Sequence, residues 1–464
     1  MGKNLALNTK KYSLILGDVI ILYLSLWLTL VIRYYPNYNR AIWSNHLLPF
    51  TIIFVGWLLI FFIDNLYELT YGKGRLNLLG RVLRSILIGL VFAMIFFYLG
   101  QDRLFTIRPQ RVLLINGTIS AILIYLWHLT FNDLTKSPKM ASGLMIIGFN
   151  SQVEEIIREI NQRPQFGLQL RSLVVEPTTL QMPDQLKAIT TYDRFENLKN
   201  LCLEKKINAI VSTIHPRDNA VLSKSLFDCL PFKISFFDIA TFYEKITGKI
   251  PVTTIEQTWF LENLTESSKR TYEVIKRILD IVFAVILLTC SLIFIPLVAL
   301  AIKLNDNGPV LFIQKRVGKN GKIFTAIKFR TMRVEAEKNG PQWAAKNDPR
   351  VTKLGKFLRK TRIDEIPQLI NVLRGEMSLV GPRPERPEFV EELQALIPFY
   401  KERLLVKPGL SGWAQVMGPA YGGSKEESLE KLQYDLFYIK NRSFGLDLSI
   451  LLKTIRTVLM VKGQ

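Results

Sequence analysis

Apolar residues fall along this chain in three successive patterns. The first is a set of four long runs, at 12–32, 47–63, 82–99 and 112–131. Each is near the ~20 residues an α-helix needs to cross a bilayer. The first run exceeds a signal-peptide core and lacks a small-residue cleavage site, so it predicts an anchor. From about residue 143 the runs shorten to strand length and alternate with amphipathic stretches. LMIIGF, LRSLVV, NAIVST and KISFFDI predict strands, with helices over 152–161 and 197–205 between them. Strands alternating with helices predict a small α/β domain on a parallel sheet. The third pattern opens with an apolar run at 281–302 that carries Pro296 in its interior, where proline deletes a helix hydrogen bond and crowds the preceding turn. A hairpin-like helix that breaks at Pro296 and returns to the face it entered from is expected, with Thr289 and Ser291 satisfying backbone groups near the break. PVLFIQKRVGKNGKIFTAIKFRTM then predicts a β-hairpin turning at Asn320-Gly321.

Charge narrows what such a chain meets. Its 464 residues are 49% hydrophobic and carry a formal net charge of +21. That balance points to nucleic acid, anionic headgroups or anionic metabolites. Nucleic acid fits poorly, because the cations flank membrane-length segments and no zinc-finger, homeodomain or RNP pattern is present. Lys3, Lys10 and Lys11 precede the first span, Lys73, Arg75, Arg81 and Arg84 surround the second connection, and Lys136 and Lys139 follow the fourth. The opposite connections hold Arg33 and Arg40, then Arg103, Arg108 and Arg111, and the bias favours both ends of the bundle in the cytoplasm. Cys202, Cys229 and Cys290 are too scattered for a disulfide framework or a zinc site. The first strand ends in Gly148-Phe149-Asn150, where a dinucleotide-binding Rossmann domain has GxGxxG. One glycine does not hold a dinucleotide tightly, so this Rossmann-like domain reads as structural or regulatory.

Candidate chemistry concentrates in GKFLRKTRIDEIPQLINVLRGEMSLVGPRP, residues 355–384. An acid pair, Asp364-Glu365, sits at the start of an expected helix among Arg359, Lys360 and Arg362. Pro367 falls in that helix's first turn, where a missing donor costs nothing. Two readings stand together here. Asp364 caps the helix and Glu365 favours its positive end, or the pair does chemistry on a phosphate-bearing substrate. Strand alternation places Lys328 and Arg330 on one face, Asp348-Pro349-Arg350 is a turn that projects an arginine, and prolines on both sides pre-position Arg383. Further on, Phe399, Tyr400, Leu404, Leu405 and Val406 mix with Lys401, Arg403 and Lys407 as interfacial segments do.

Residues 276–459 resemble the bacterial sugar transferase family, the monotopic polyprenyl-phosphate phosphoglycosyl transferases. The resemblance rests on KRILDI, the Pro-broken apolar helix, GPVLFIQKRVGKNGKIF, KFRTM, DPRVTKLGKFLRKTRIDEIPQLINVL, GEMSLVGPRPERPEF and VKPGLSGWAQV. Ile366 stands where leucine is commoner. The N-terminal bundle and the sheet domain are similar to the larger subgroup that starts O-antigen, capsule or exopolysaccharide repeats. The resemblance implies that Asp364 is a nucleophile on the β-phosphorus of a UDP-sugar, releasing UMP, and that undecaprenyl phosphate then takes the sugar phosphate. It implies Mg²⁺ held by Glu365, cations Lys328, Arg330, Arg350, Arg359 and Arg383 around the phosphates, and an active site on the cytoplasmic face of the bacterial inner membrane.

The expected fold is therefore a membrane α-helical bundle (1–135), an α/β Rossmann-like domain (136–252), a linker (253–270) that brings Trp259, Phe260 and Leu261 to lipid or to the sheet domain, and a mixed α+β catalytic domain (271–464) with a re-entrant membrane helix over about 275–304. Its partners are UDP-sugar, undecaprenyl phosphate, membrane lipid and a second copy of itself. Two alternatives remain: a membrane-anchored nucleotide-sugar dehydratase, for which Tyr272 and Lys276 have the Tyr-x-x-x-Lys spacing, and a non-enzymatic scaffold for glycan assembly.

Overall fold

A computed structural model of the chain describes residues 6–67, 75–100, 110–136, 142–163, 166–175, 186, 189–192, 195–232, 234–253, 255, 257–264, 269–305, 308–336, 340, 342–343, 348–419 and 424–459. Lys3, Lys73, Arg103, Arg108 and Lys139, used above for orientation, lie outside them. The chain divides into two units, Met1–Phe242 and Tyr243–Gln464.

In the first unit the long apolar runs form α1 (Ala6–Tyr34), α2 (Arg40–Ile63), α3 (Arg75–Gly100) and α4 (Gln110–Lys136). All four contain a stretch long and apolar enough to cross a membrane. Their outward faces are apolar, as lipid demands, and their inward polar groups pair with one another because hydrocarbon offers no partner. Asp18 meets His128 at 3.1 Å, Ser25 meets Ser120 at 2.7 Å, and Arg84 is paired with Asp64. The sheet domain follows, with β1 (Ser142–Ile147), α5 (Ser151–Gln162), β2 (Leu168–Val175), β3 (Thr190–Tyr192), α6 (Leu198–Glu204), β4 (Ile207–Ser212), α7 (Ala220–Asp228), β5 (Ser235–Asp238) and α8 (Ile239–Thr247). The strands are parallel in the order β3-β2-β1-β4-β5. Only β3 escaped the sequence reading, since three residues are too few to show alternation.

The second unit corrects the linker first. Gln257–Asn263 is a helix, α9, whose Trp259 and Phe260 pack on the core of this unit, with the Phe260 and Phe399 ring centres 4.7 Å apart and the rings tilted by 42°. Leu261 alone of that trio is fully exposed. Next come α10 (Arg270–Ser291) and α11 (Ile295–Asn305), bent by 60°. The break lies at 292–294, ahead of Pro296, which is the second residue of α11. A proline clashes with the carbonyl four residues before it, here Leu292, so the damage falls upstream of the ring. Ser291 Oγ donates back to Leu287 O at 2.6 Å, and the Ser291 carbonyl accepts from Phe294 N at 2.9 Å.

The base of α10 is tied into the catalytic body. Arg277 donates to Val372 O at 2.6 Å and Leu373 O at 2.8 Å, and Leu379 N donates to Asp280 Oδ1 at 3.1 Å. Tyr272 OH and Lys276 Nζ both reach Asp447 Oδ2, at 2.7 and 2.8 Å. These two side chains are therefore committed to structure, which removes the spacing argument for a dehydratase.

The body itself runs β6 (Leu311–Val317), β7 (Ile323–Phe329), α12 (Lys353–Thr361), α13 (Leu369–Arg374), β8 (Ser378–Val380), α14 (Pro387–Leu396), β9 (Gly409–Ser411), α15 (Trp413–Met417), α16 (Lys425–Asn441) and α17 (Phe444–Leu459). β6 and β7 are antiparallel around the expected turn, where Asn320 has φ 56°. Val372, Met377, Leu436, Tyr438 and Ile450 centre the core. The segment read as interfacial is different from expectation. Tyr400 and Arg403, 3% and 6% exposed, lie in a 3₁₀ turn (Tyr400–Leu405) packed into that core, and Val406, just after it, is 6% exposed, while Lys401 points out.

β8 and β9 pair in parallel, and Gly381, just after β8, passes so close to Gly409 that no side chain fits at 409. A Cβ on Gly409 would lie 2.1 Å from Gly381 N, a backbone atom that cannot rotate away. Gly409→Ala is expected to destabilise the catalytic unit by about 1–3 kcal/mol, whereas Gly445→Ala in open space at the start of α17 is neutral or slightly stabilising. Thermal unfolding in detergent checks both, and an unmoved midpoint in Gly409→Ala would refute the close-packing argument.

Candidate active site

The acid pair does not begin an α-helix. α12 ends on Arg362, which takes a left-handed conformation at φ 59°, and the chain then tightens into a 3₁₀ turn, Ile363–Gln368, before α13. Pro367 sits inside that turn. Neither acid caps a helix by its side chain, so of the two sequence readings the capping one is withdrawn. The tighter winding instead buries both acids, Asp364 at 7% and Glu365 at 9% exposed.

A cavity of about 690 Å³ opens over them. Lys328, Arg330, Arg350, Arg359, Asp364, Glu365 and Arg383 all line it, delivered by the end of β7, the turn before α12, α12 itself, the 3₁₀ turn and the loop after β8. Pro296 is not among them. Glu365 is the junction. Arg383 Nη2 donates to its Oε1 at 2.9 Å, Arg362 Nη1 at 3.4 Å, and Lys328 Nζ lies 3.7 Å away. Burial opposes its ionisation, yet Arg383, Lys328 and Arg362 together hold its carboxyl well below the usual range. Asp364 goes the other way. Burial, then the charge on Glu365, push it up to about 6 against the pull of Lys328, Arg359 and Arg362. Its Oδ1 is buried with no hydrogen-bond partner among the described residues. Burial likewise brings Lys328 down to about 8, with Arg383 adding to the effect.

The other cations are tethered. Arg359 Nε donates to Thr331 Oγ1 at 2.9 Å. Arg350 does not simply project. It donates from Nε at 2.9 Å and from Nη2 at 2.6 Å to the two oxygens of Asp348, whose carboxyl it holds down to about 2, and Nη1 reaches Gln342 at 3.1 Å. Arg330 is buried in the wall at 8% exposure. Arg316, Arg403, Lys431 and Asp435 also line the cavity, and sequence reasoning missed them. No local signal marks Arg316 and Arg403, because the partners that fix their role, Pro384 O and Asp435, lie 68 and 32 residues away. Among the described residues no three His, Cys, Asp or Glu side chains gather as a metal site. The available donor set is the lone Asp364 oxygen with Glu365, which suits a hard cation that takes its other oxygens from phosphate and water.

Comparison with known proteins bears on the same half of the chain. The signature of one family, bacterial sugar transferase, matches residues 271–461. A UDP-N-acetylgalactosamine-undecaprenyl-phosphate N-acetylgalactosaminephosphotransferase of Aeromonas hydrophila is 42% identical over 258 residues, 55% of this chain and 59% of the relative. The UDP-glucose:undecaprenyl-phosphate glucose-1-phosphate transferase of Escherichia coli is 44% identical over 182 residues, 39% of each chain. The uncharacterized sugar transferase EpsL of Bacillus subtilis is 40% identical over 195 residues, 41% of this chain and 90% of the relative. The matches thus span less than two thirds of the first two relatives.

The raised carboxyl of Asp364 has a sign. Its ionised form is penalised by the fold, so the cost is absent below about pH 3, grows from the ordinary aspartate range to about 6, and is complete above that. In EDTA, Asp364→Asn should raise the unfolding midpoint at pH 8 by roughly 2–4 °C and leave it unchanged at about pH 3. A scan showing equal midpoints at pH 8 would contradict the burial argument.

Proposed function

The chain belongs to the bacterial sugar transferase family, and from that premise we propose that it transfers a sugar 1-phosphate from a UDP-sugar to undecaprenyl phosphate, giving undecaprenyl-diphospho-sugar and UMP. The observation that carries this reading is a buried acid pair lining a cationic cavity, in which one acid is tied to three cations and the other keeps a buried oxygen with no hydrogen-bond partner among the described residues. An acid so placed is a nucleophile awaiting an electrophile. A carboxylate oxygen of Asp364 bonds to the β-phosphorus, and the bond from that phosphorus to the bridging oxygen breaks. UMP departs with the bridging oxygen, and the sugar phosphate remains on Asp364 as an acyl phosphate. A phosphate oxygen of undecaprenyl phosphate then bonds to the same phosphorus and returns the carboxylate. Lys328, Arg359 and Arg383 offset the charge that gathers on the phosphoryl oxygens. Arg350, already bound to Asp348, shapes the wall rather than gripping freely.

Glu365 with Asp364 would hold Mg²⁺, and the chemistry such an ion supplies is neutralisation of the diphosphate. The bent pair of α10 and α11 would enter the membrane and return on the cytoplasmic side, which keeps the cavity with the nucleotide pool while the acceptor's tail stays in the bilayer. The names of the relatives support undecaprenyl phosphate as acceptor and a nucleotide sugar as donor. The product would start an O-antigen, capsule or exopolysaccharide repeat.

UMP release is the test, with undecaprenyl phosphate, Mg²⁺ and a panel of UDP-glucose, UDP-galactose and UDP-N-acetylgalactosamine. At least one donor should release UMP, EDTA should stop it, and Asp364→Asn should cut it by at least about three orders of magnitude while the protein stays folded. Full activity in Asp364→Asn would sink the assignment. Topology is checked in a Cys290→Ala background with single cysteines at the exposed positions Leu261 and Lys401. Both should react with an impermeant maleimide only from the cytoplasmic side, and labelling of position 401 from outside would show a full fifth span.

A further inference from the structure

Four consecutive carbonyls of the loop after β8 are held, by donors from β6, from β9 and from the 3₁₀ turn at Tyr400–Leu405. The Gly409 amide donates to Pro382 O and the Val317 amide to Glu385 O, both at 2.9 Å. Guanidinium groups take the two between them. Arg403 Nη2 donates to Arg383 O at 2.9 Å and Arg316 Nη1 to Pro384 O at 3.0 Å. Pro382 and Pro384 bring no amide hydrogens, so ties to these residues must run through their oxygens.

Arg403 is itself clamped. Its Nε and Nη2 donate to Asp435 Oδ2 at 3.1 and 2.8 Å, and Nη1 donates to Tyr400 OH at 2.6 Å. Arg403, Tyr400 and Asp435 are 6%, 3% and 1% exposed. All three guanidinium nitrogens thus have protein partners, although the side chain lines the cavity. A fork spent in this way has little left for a phosphate, and its direction of action is toward the loop.

We propose that Arg403, fixed by Asp435 and Tyr400, is a positioning residue that acts through Arg383 by gripping its backbone carbonyl. The proposal rests on the reading of Asp364 and Glu365 as the reaction centre. It extends the chain of contacts from α16 to that centre: Asp435 holds Arg403, Arg403 holds the main chain of Arg383, and the Arg383 side chain holds Glu365 at 2.9 Å. A lysine at 403 keeps the charge but cannot bridge a carboxylate, a phenol and a carbonyl at once. Displacement of a reacting group by 1 Å costs up to ~100-fold in rate, so the brace is felt well before the fold fails.

The experiment is a double-mutant cycle on the full-length protein, with UMP release and thermal unfolding measured on each variant. Arg403→Lys should lower kcat/KM by ~10–100-fold, and Arg383→Lys by at least as much. The double variant should be no worse than Arg383→Lys within about threefold, because a residue that acts through another has nothing left to lose once the other is gone. Asp435→Asn should repeat the loss and the non-additivity, and it carries the cycle if Arg403→Lys does not fold. An acid at 435 has no attraction for phosphate, so its agreement separates the brace from direct substrate binding. Losses that multiply in the double variants, or full activity in Arg403→Lys and Asp435→Asn, overturn the proposal. Hydrogen exchange reads the same brace without substrate: exchange at the Gly409 and Val317 amides should quicken in both variants, and unchanged exchange overturns it too. A parent protein that releases no UMP from any donor would instead defeat the functional reading, with the exchange result still deciding the brace.

Discussion

The ionised carboxylate of Glu365 is the contact on which the catalytic unit is organised. A charge at 9% exposure survives only if fixed cations replace the water it has lost. Those cations come from three separate pieces of chain: Lys328 from β7, Arg362 from the left-handed end of α12, and Arg383 from the loop after β8. Each piece must be in place before the carboxylate is tolerable. Once it is, burial and then the Glu365 charge keep Asp364 hard to ionise, and the two adjacent acids acquire opposite tendencies from one arrangement. Divergent environments for neighbouring acids are the physical mark of divided roles.

Much of this is legible in the sequence. The four bundle helices and the parallel strands announce themselves because burial or lipid contact imposes a run length and a period that a single sequence retains. The acid pair and its cations were legible because a turn, an acid pair and a proline-locked arginine are local features. What failed was tertiary. Tyr400, Arg403 and Val406 look like an interfacial stripe, since alternating apolar and basic residues describe a membrane surface and a packed 3₁₀ turn equally well. The partner that decides, Asp435, lies 32 residues away. The helix expected at Asp364 failed for a nearer reason: Arg362 ends α12 in a left-handed turn, and Asp364 enters before an α-helical ladder can start. The break assigned to Pro296 was displaced upstream because the ring acts on the carbonyl behind it.

Arginine serves here in two trades. Arg383 and Arg359 present charge to the cavity, while Arg316 and Arg403 each hold a backbone oxygen of one loop. The second trade is invisible to charge counting, which assigns every cation in an anion-binding cavity to the anion. Part of a +21 chain is therefore carpentry.

The ties at the base of α10 carry a mechanical meaning. Arg277 grips the last carbonyls of α13, and α13 continues directly from the turn that bears Asp364. Asp280 and Lys276 fasten the same helix to β8 and α17. Helix and acids are thus joined by direct side-chain ties. On the proposed reading, with α10 entering the membrane and Asp364 as nucleophile, the depth of α10 sets the height of that acid above the bilayer, so the reach demanded of a lipid-borne phosphate follows from anchoring depth rather than from a flexible tether.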